Sequence, residues 1–225
     1  MYKLPKVVLF DFDGTLIESG EIVVEAYHSG MINLGYHPKD RTYIATLAGL
    51  STFNTGRALG IKEEDLEKID LHFWDYFANY ANSIDTATTL PKILPGVENF
   101  LNLLKINKIT MGVVTSNEAK SAKIILDKLN LLHYFDVVIG KEHCLNKKPD
   151  PEPLFQALDQ LKFNDEISNI NIWYVGDTQY DVQAAKSAGI LSIGIPTPHT
   201  KQLLEMSNPE IYLDTMQMLI DLIEL

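Results

Sequence analysis

Two carboxylates one residue apart form the first motif that could do chemistry. Asp11 and Asp13 follow a short apolar run, Val7–Phe10, and Gly14 comes next, where the chain can turn sharply. If the run is a strand, both carboxylates point to the same side. Two like charges that close are costly, so such a pair usually binds a cation or shares a proton. Chance also produces this pattern in acidic chains, so the pair alone is only suggestive.

A second and a third motif suit an anion. Thr115 offers a hydroxyl donor, and Ser116 and Asn117 open a predicted helix, where free backbone N–H groups favour negative charge. Lys148 precedes Pro149 at a proline-stiffened helix start, which can hold its ammonium in a fixed place. Taken singly, Ser116 and Asn117 are equally well read as helix caps, and a lone lysine is usually a solvated surface residue.

A fourth motif, GDTQYD, supplies two more carboxylates. Asp177 ends an apolar run, and Asp181 lies four residues later, near the first turn of a predicted helix. In isolation, helix capping explains either aspartate as well as chemistry does. The four motifs follow one another along the chain, each at the end of a predicted strand or in a nearby loop.

The elements that position these motifs alternate between apolar runs and helical patterns. Such alternation indicates a parallel sheet covered by helices on both faces, with ligands bound beyond the carboxyl ends of the strands. The predicted strands are Val7–Phe10, Ile109–Thr115, Phe135–Gly140, Ile170–Gly176 and Ile190–Ile195, with a weaker one at Glu210–Leu213. Between and after these strands, helical patterns cover Pro95–Lys105, Glu118–Leu129, Glu152–Leu161, Asp181–Ala188 and Thr215–Ile223.

From about Ile17 to Thr88 the sequence contains no convincing strand. Helical segments punctuated by glycines fill this gap, and the last of them carries an aromatic cluster that is best read as apolar core. We therefore predict a helical cap of residues 17–88, inserted into a catalytic core of residues 1–16 and 89–225, with Thr86–Pro95 as the return linker. The predicted cap helices are Glu21–Leu34, Pro38–Leu47, Phe53–Leu59 and Glu63–Asn82.

Composition and charge exclude several classes of partner. The 225 residues are 46% hydrophobic and carry a net charge of -11 without a basic stripe, so nucleic acid and anionic membranes are not expected partners. Cys144 is the single cysteine, which excludes an internal disulfide, and we read it as incidental. The apolar run before Asp11 is too short for a signal peptide, and no stretch is long enough to span a bilayer. We expect a cytoplasmic protein, monomeric or homodimeric.

Together the four motifs resemble those of the haloacid dehalogenase superfamily. DFDGT at Asp11, the strand-end Thr115, the Lys148–Pro149 pair and GDTQYD match its phosphatase branch, most closely the phosphoglycolate phosphatase and β-phosphoglucomutase group. The resemblance extends over essentially the whole chain. It implies an α/β fold, with a Rossmann-like parallel sheet in the strand order 3-2-1-4-5 and an all-α cap inserted after the first strand.

The resemblance also implies a role for each motif. Asp11 attacks phosphorus and becomes an aspartyl phosphate, while Asp13 protonates the leaving oxygen and then deprotonates the attacking water. Mg²⁺ is held by Asp11, the backbone carbonyl of Asp13, and Asp177. Asp181 also belongs to the metal site, where it acts on the ion through water or acts by orienting Lys148.

Phosphoryl binding falls to Thr115 and Lys148 in this resemblance. Arg57, in the cap, could reach a substrate anion, although a solvated helix arginine is the commoner reading. The remaining candidate substrate contacts are Gly14, Thr15, Ser116 and Asn117.

The substrate class stays open at this level. A cap that closes over the cleft excludes proteins, so a small phosphate ester is expected, such as phosphoglycolate, a sugar phosphate, a nucleotide or pyrophosphate. Asp13 argues against a dehalogenase, which lacks this aspartate, and the complete motif set argues against a non-catalytic phosphate-binding protein. A phosphomutase is the main alternative. The mutases resembled here carry a histidine and an arginine at the positions of Val23 and Thr52, which favours a phosphatase.

Overall fold

A parallel sheet of six strands forms the centre of the computed structural model, which describes residues 2–84, 90–165, 167–168 and 171–224. In chain order the strands are β1 (Tyr2–Lys3), β2 (Val7–Phe10), β3 (Ile17–Glu18), β4 (Lys92–Ile93), β5 (Thr110–Val114), β6 (Val137–Ile139), β7 (Ile172–Gly176), β8 (Leu191–Gly194), β9 (Ile211–Tyr212) and β10 (Ile223–Glu224). The central sheet has the order β6-β5-β2-β7-β8-β9. This confirms the predicted Rossmann-like fold and its 3-2-1-4-5 order, with the weak sixth run as an edge strand. Ile170, the predicted start of the fourth strand, lies outside the described residues.

Ten α-helices lie in the described part of the chain. They are α1 (Gly20–Asn33), α2 (Arg41–Ala45), α3 (Thr52–Ala58), α4 (Leu66–Ser83), α5 (Val97–Ile106), α6 (Ala119–Lys128), α7 (Glu152–Gln160), α8 (Gln179–Ala188), α9 (Lys201–Met206) and α10 (Met216–Asp221). Short 3₁₀ turns occur at Glu63–Asp65, Leu132–Tyr134 and Lys141–His143. Among the described residues, none of these helices has the length and apolarity needed to cross a membrane.

Strand β2 shows why its sequence is a continuous apolar run. Val7 and Leu9 pack into the cluster on one face of the sheet, and Val8 and Phe10 pack into the cluster on the other. Because helices cover both faces, no position of this strand meets water, and alternation of polar and apolar residues is absent. Burial continues past the end of the strand, since Asp11 and Phe12 are buried as well.

A separate apolar cluster holds the helical segment together. Its buried members run from Ile22 in α1 to Phe77 in α4. The last turn of α4 behaves differently, because Ala81 and the following Ile84 pack into the larger core cluster beside the sheet. The helical segment is thus anchored to the core through the end of α4.

The chain leaves and re-enters the core through a pair of two-residue strands. β3 pairs antiparallel with β4, placing Ile17 opposite Ile93 and Glu18 opposite Lys92. The expectation of no strand after Ile17 is corrected here, because two residues are too few to show a strand period. The predicted boundary between residues 88 and 89, and the start of the Thr86–Pro95 linker, lie outside the described residues. The exact division into core and cap therefore stays a prediction.

Several helix boundaries differ from the sequence prediction by one to three residues, and two of them have a clear cause. The Asp40 side chain accepts a hydrogen bond from the Thr42 N–H, so α2 starts at Arg41 and not at Pro38. At the other end of the chain, α10 stops before Ile223, which instead belongs to β10 and pairs with Tyr2. Both differences come from local capping or long-range pairing that periodicity does not report.

Phe100→Ala should destabilise the fold strongly. Phe100 in α5 is fully buried and meets Phe10 edge to face, with ring centroids 6.0 Å apart. Removing the ring leaves a cavity, and we expect a loss of about 3–5 kcal/mol in the free energy of unfolding, measured by urea denaturation. Phe155→Ala in α7 is the matched control, since that ring is 40% exposed and should cost about 1 kcal/mol or less. Equal losses for the two variants would contradict this placement of the core.

Candidate active site

The ends of three neighbouring strands bring the first motif residues together. Asp11 follows β2, Thr115 follows β5 and Asp177 follows β7, and these strands lie side by side in the sheet. The hydrogen bonding between β2 and β7 extends one residue past the end of β2, because the Asp11 N–H donates to the Val175 carbonyl at 2.8 Å. The sheet therefore fixes the backbone at the base of each side chain, and all three side chains are buried.

Lys148 reaches this edge from the loop between β6 and α7. Its ammonium lies 2.7 Å from Asp11 Oδ1 and 2.7 Å from Asp181 Oδ1, and it also donates to the Tyr174 hydroxyl at 2.9 Å. A fourth contact, at 3.3 Å, is to the Val114 carbonyl. The side chain is only 6% exposed, so these contacts hold the ammonium in one place.

Tyr174 is a site residue that the sequence prediction missed. Its hydroxyl lies 3.0 Å from Asp181 Oδ1 as well as contacting Lys148, and its ring is buried in the sheet. The residue sits within an apolar strand run, where an aromatic side chain is normally read as core. The available signal was its phenol oxygen, which needs a partner when buried.

Asp181 uses both of its carboxylate oxygens within the protein. Oδ1 accepts from Lys148 and Tyr174, while Oδ2 accepts from the Thr178 N–H at 3.0 Å and from the Thr178 hydroxyl at 2.6 Å. A carboxylate with four such partners is held rigidly and has little capacity left for a metal ion. The geometry suits a residue that orients Lys148.

The other carboxylates fit a divalent cation better. Oxygens of Asp11 and Asp177 lie within 4.8 Å of each other and of an oxygen of Asp181. In the described part of the chain, Oδ1 of Asp177 and Oδ1 of Asp13 are buried without a hydrogen-bond partner. Hard oxygen donors of this kind are the ligands that Mg²⁺ prefers, so the residues present fit that ion.

Gly14 allows this close approach. Its φ is +78°, and a Cβ at this position would lie 2.5 Å from Asp177 Oδ2. A side chain here would therefore displace the Asp177 carboxylate as well as strain the turn. Gly14 shapes the site through its backbone.

Burial dominates the electrostatics of the cluster. It raises the pKa of Asp11 to about 7, although the Lys148 ammonium opposes the shift, and it raises the pKa of Asp13 to about 6, opposed by Ser19 and Lys148. Burial, with the neighbouring Asp11 and Asp181, also lifts the pKa of Asp177 well above its ordinary value. These aspartates therefore hold their charge at a cost that a bound cation would remove.

The single cation of the cluster stays charged. Burial alone would lower the pKa of Lys148, but the carboxylates of Asp11 and Asp181 outweigh it and hold that pKa well above the usual lysine value. Lys148 therefore remains an ammonium at neutral pH. It is a fixed positive charge in direct contact with Asp11.

The second motif lies beside this cluster. The Thr115 hydroxyl accepts a hydrogen bond from the Asn117 N–H at 3.0 Å. The side-chain oxygen of Asn117, Oδ1, accepts one from the Glu118 N–H at 2.8 Å. In the described residues, the Asn117 amide nitrogen and the Thr15 hydroxyl are buried without a partner. Ser116 shares a small cavity with Thr115 and Lys148. Unpaired buried donors at this edge suit an anionic ligand.

Arg57 lies apart from these residues. It belongs to α3, where its guanidinium donates twice to Glu63, at 2.7 and 3.1 Å, and once to Asn54 at 3.1 Å. Within the described part of the chain, those bonds all go to neighbours in the cap. A contact with substrate stays a prediction for Arg57.

Cys144 lines the same cavity as Ser116. Burial and nearby acids raise the pKa of its thiol, which disfavours a reactive thiolate.

Comparison with known families gives one match over most of the chain. Residues 8–195 match the family described as haloacid dehalogenase-like hydrolase. The chain is 32% identical to probable phosphatase IndB of Dickeya dadantii, over 93% of this chain and 89% of that protein. It is 30% identical to a candidate pyrophosphatase, PpaX, of Clostridium perfringens, over 97% of both chains.

Further relatives extend this picture. Phosphoglycolate phosphatase 1 of Pseudomonas aeruginosa is 31% identical over 84% of this chain and 68% of that protein. Among solved structures, a candidate haloacid dehalogenase-like hydrolase from Bacteroides fragilis superposes with a TM-score of 0.80 at 26% identity, covering 96% of this chain and 100% of that one.

Without a divalent cation, the protein should lose stability as the pH rises from 5 to 7.5. The folded-state pKa values of Asp11 and Asp13, about 7 and about 6, lie above the ordinary 3.8, so the unfolded chain releases these protons at lower pH. Stability from the buried protonated forms is complete below about pH 4 and declines as the pH passes the raised values. Glu63, whose pKa is lowered, is ionised in both states over this range. We expect Tm in EDTA to fall by about 5 °C or more.

Mg²⁺ should raise Tm more at pH 7.5 than at pH 5, because protons compete with the cation for the same oxygens. The variant Asp11→Asn with Asp13→Asn removes both titrations, and its Tm should depend much less on pH. A Tm that rises between pH 5 and 7.5, or an unchanged slope in the double variant, would contradict this assignment.

Proposed function

The chain is a phosphatase that belongs to the haloacid dehalogenase-like hydrolase family, and we propose that it hydrolyses small phosphate monoesters through a Mg²⁺-dependent aspartyl phosphate on Asp11. One observation carries the proposal. A buried carboxylate at the end of the central strand lies 2.7 Å from a buried ammonium, beside further carboxylate oxygens that have no partner in the described residues. This is an arrangement for charge neutralisation and nucleophilic attack at phosphorus.

Asp11 is the proposed nucleophile. Lys148 holds its Oδ1, which fixes the carboxylate and leaves the other oxygen to attack phosphorus in line. The new bond joins Asp11 to phosphorus while the bond from phosphorus to the leaving oxygen breaks. Thr115 and Lys148 lie where they can bind the phosphoryl oxygens, which carry most of the charge in a loose transition state.

Asp13 is the proposed general acid and base. It gives its proton to the leaving oxygen in the first step, then takes a proton from the water that attacks the acyl phosphate, which frees phosphate and restores Asp11. A pKa of about 6 suits both roles near neutral pH. The nearby Ser19 hydroxyl acts on this carboxyl and opposes the pKa shift.

Asp11, Asp177 and the backbone carbonyl of Asp13 are the proposed ligands of Mg²⁺, with Asp181 orienting Lys148. When bound, Mg²⁺ supplies the positive charge that lets a carboxylate meet a phosphate dianion. The protein's contribution is the rigid placement of these carboxylates at the edge of the sheet. The net charge of -11 makes such local compensation necessary.

A phosphatase is favoured over a phosphomutase by two cap positions. Val23 packs against the apolar cluster of the cap, and the Thr52 hydroxyl is bonded to the Asp70 carboxylate. A mutase must bind a bisphosphate at both ends, and the mutases resembled here use cationic side chains at these two cap positions for the distal phosphate. Neither position supplies one, which supports water as the phosphoryl acceptor.

Asp11→Asn should abolish turnover of p-nitrophenyl phosphate, by at least about 10³-fold, because the amide is a poor nucleophile. Acid quenching of the wild-type reaction should trap hydroxylamine-sensitive phosphate on the peptide that contains Asp11. Asp13→Asn is the informative comparison. It can form the intermediate from this good leaving group but cannot activate water, so labelled enzyme should accumulate. Label on any other residue would defeat the proposed mechanism.

Lys148→Ala should lower kcat/KM for p-nitrophenyl phosphate by about 10² to 10³-fold, since it removes a buried donor to the transferring group. Lys147→Ala removes the same charge one residue earlier, from an exposed side chain, and should cost far less. Circular dichroism of both variants separates lost folding from lost catalysis. Similar losses in two folded variants would show that the motif is placed wrongly.

Incubation with β-glucose 1-phosphate and a catalytic amount of the 1,6-bisphosphate should release inorganic phosphate and not convert the sugar. The expected result follows from the absence of cationic groups at Val23 and Thr52. Glucose 6-phosphate and free phosphate are measured in the same samples. Glucose 6-phosphate forming faster than free phosphate would establish the mutase alternative instead.

A further inference from the structure

An aromatic side chain of the cap faces the core beside the active site. Trp74 in α4 donates from Nε1 to Asp70 Oδ1 at 3.0 Å, and Phe73 packs against its ring edge to face, with centroids 4.9 Å apart. Asp70 also accepts a hydrogen bond from Thr52 in the preceding cap helix, α3. The indole is therefore fixed in orientation by cap residues, which leaves a face of the ring for the core.

Two lysines of the core approach that ring. Lys141 Nζ lies 4.7 Å from the ring centroid and Lys147 Nζ lies 5.9 Å from it. An ammonium within about 6 Å of an indole centroid is attracted by the ring. Two ammonium groups near one ring also repel each other, so this arrangement gains most when an anion lies between them.

The positive charge here is only partly compensated. Lys141 pairs with Glu118 at 3.3 Å. Lys147, by contrast, has no ion pair among the residues that the structure describes. Glu142, Asp150 and Glu152 lie near the same cavity, so what distinguishes Lys147 is the lack of an ion pair within the described residues and not a local surplus of positive charge. Lys148 differs from Lys147, because Asp11 and Asp181 already neutralise its ammonium.

The same cavity connects these lysines to the proposed phosphoryl site. Its lining includes Thr115, Ser116 and Lys148 together with Lys141 and Lys147. A substrate whose phosphoryl group meets Thr115 and Lys148 therefore lies beside the two lysines. From the cap, the Trp74 ring lies close to both lysines.

We propose that Lys141, Lys147 and Trp74 form a leaving-group subsite that selects phosphate esters whose leaving group carries a second negative charge. This inference rests on the proposed function. The shared chemistry is an anion a few bonds from the scissile oxygen, either a carboxylate or a second phosphate. The two lysines bind that anion, and the indole excludes water from the ion pairs, which strengthens them.

The experiment compares matched substrates. 2-Phosphoglycolate carries a carboxylate, 2-hydroxyethyl phosphate has a neutral hydroxymethyl group in its place, and pyrophosphate carries a phosphate. The measured quantity is the ratio of kcat/KM for each anionic substrate to that for the neutral ester. In the variant Lys141→Met with Lys147→Met, we expect the ratio for the preferred anionic substrate to fall by about tenfold or more. Lys123→Met, an exposed lysine of α6, is the control for charge alone.

Salt gives a second readout. Added NaCl should lower the same ratio in the wild type and change it much less in the double variant, because salt screens the attraction between the lysines and the incoming anion. If the double variant lowers the ratio for 2-phosphoglycolate, the preferred anion is the carboxylate. If it lowers the ratio for pyrophosphate, the preferred anion is the phosphate.

A simple contact between cap and core would behave differently. If the lysines only hold the cap against the core, the double variant loses activity on all three substrates alike and the ratio stays constant, which overturns the inference. An unchanged ratio with unchanged activity overturns it as well.

Binding to the Asp11→Asn protein, measured by calorimetry, repeats the comparison without turnover. A wild type that hydrolyses none of the substrates, while the lysines still discriminate in binding, would contradict the proposed function and leave the subsite standing. A wild type that hydrolyses them with no lysine-dependent discrimination would contradict the subsite alone.

Discussion

One buried ammonium shares the edge of the sheet with four carboxylates, and this imbalance governs the site. Lys148 contacts Asp11 and Asp181 directly, while Asp13 and Asp177 lie close enough to feel its charge. Burying like charges without compensation costs several kcal/mol, which is why the pKa values of Asp11, Asp13 and Asp177 rise. The same imbalance prepares the site for a divalent cation and, with the cation bound, for a phosphate dianion.

The topology of the sheet is what makes this concentration of charge possible. Parallel strands β5, β2 and β7 lie side by side, so the residues that follow them meet at one edge. Covering helices bury the strands on both faces, which keeps water away from the base of each side chain. Tyr174 connects the core to the site, because its ring fills the core and its hydroxyl contacts Lys148 and Asp181.

Much of this arrangement can be predicted from sequence, since it follows from local signals. The six strands of the sheet are apolar runs, and Asp11, Thr115, Lys148 and Asp177 stand where such runs or their loops end. What escapes prediction depends on contacts between distant segments. The two-residue strands β3 and β4 have no period to detect, and β1 and β10 exist only through pairing with each other.

The contact between Trp74 and Lys141 also depends on distant segments of the chain, because it joins a cap helix to a core loop 67 residues later. Sequence reading assigned the aromatic cluster of α4 to the interior of the cap, and Phe73 and Phe77 do lie there. Trp74 is only partly buried, on the side that faces the core. Helical periodicity places a residue on a face of its own helix but does not identify what that face meets.

The central claim is that cation and anion bind this edge of the sheet as one electrostatic unit. Calorimetric titration of the wild-type protein with inorganic phosphate, in EDTA and in saturating Mg²⁺, tests it most directly. The account predicts phosphate affinity at least about 100-fold higher with Mg²⁺, and equally that phosphate tightens Mg²⁺ binding by the same factor. Phosphate binding of equal strength in the two conditions would contradict it.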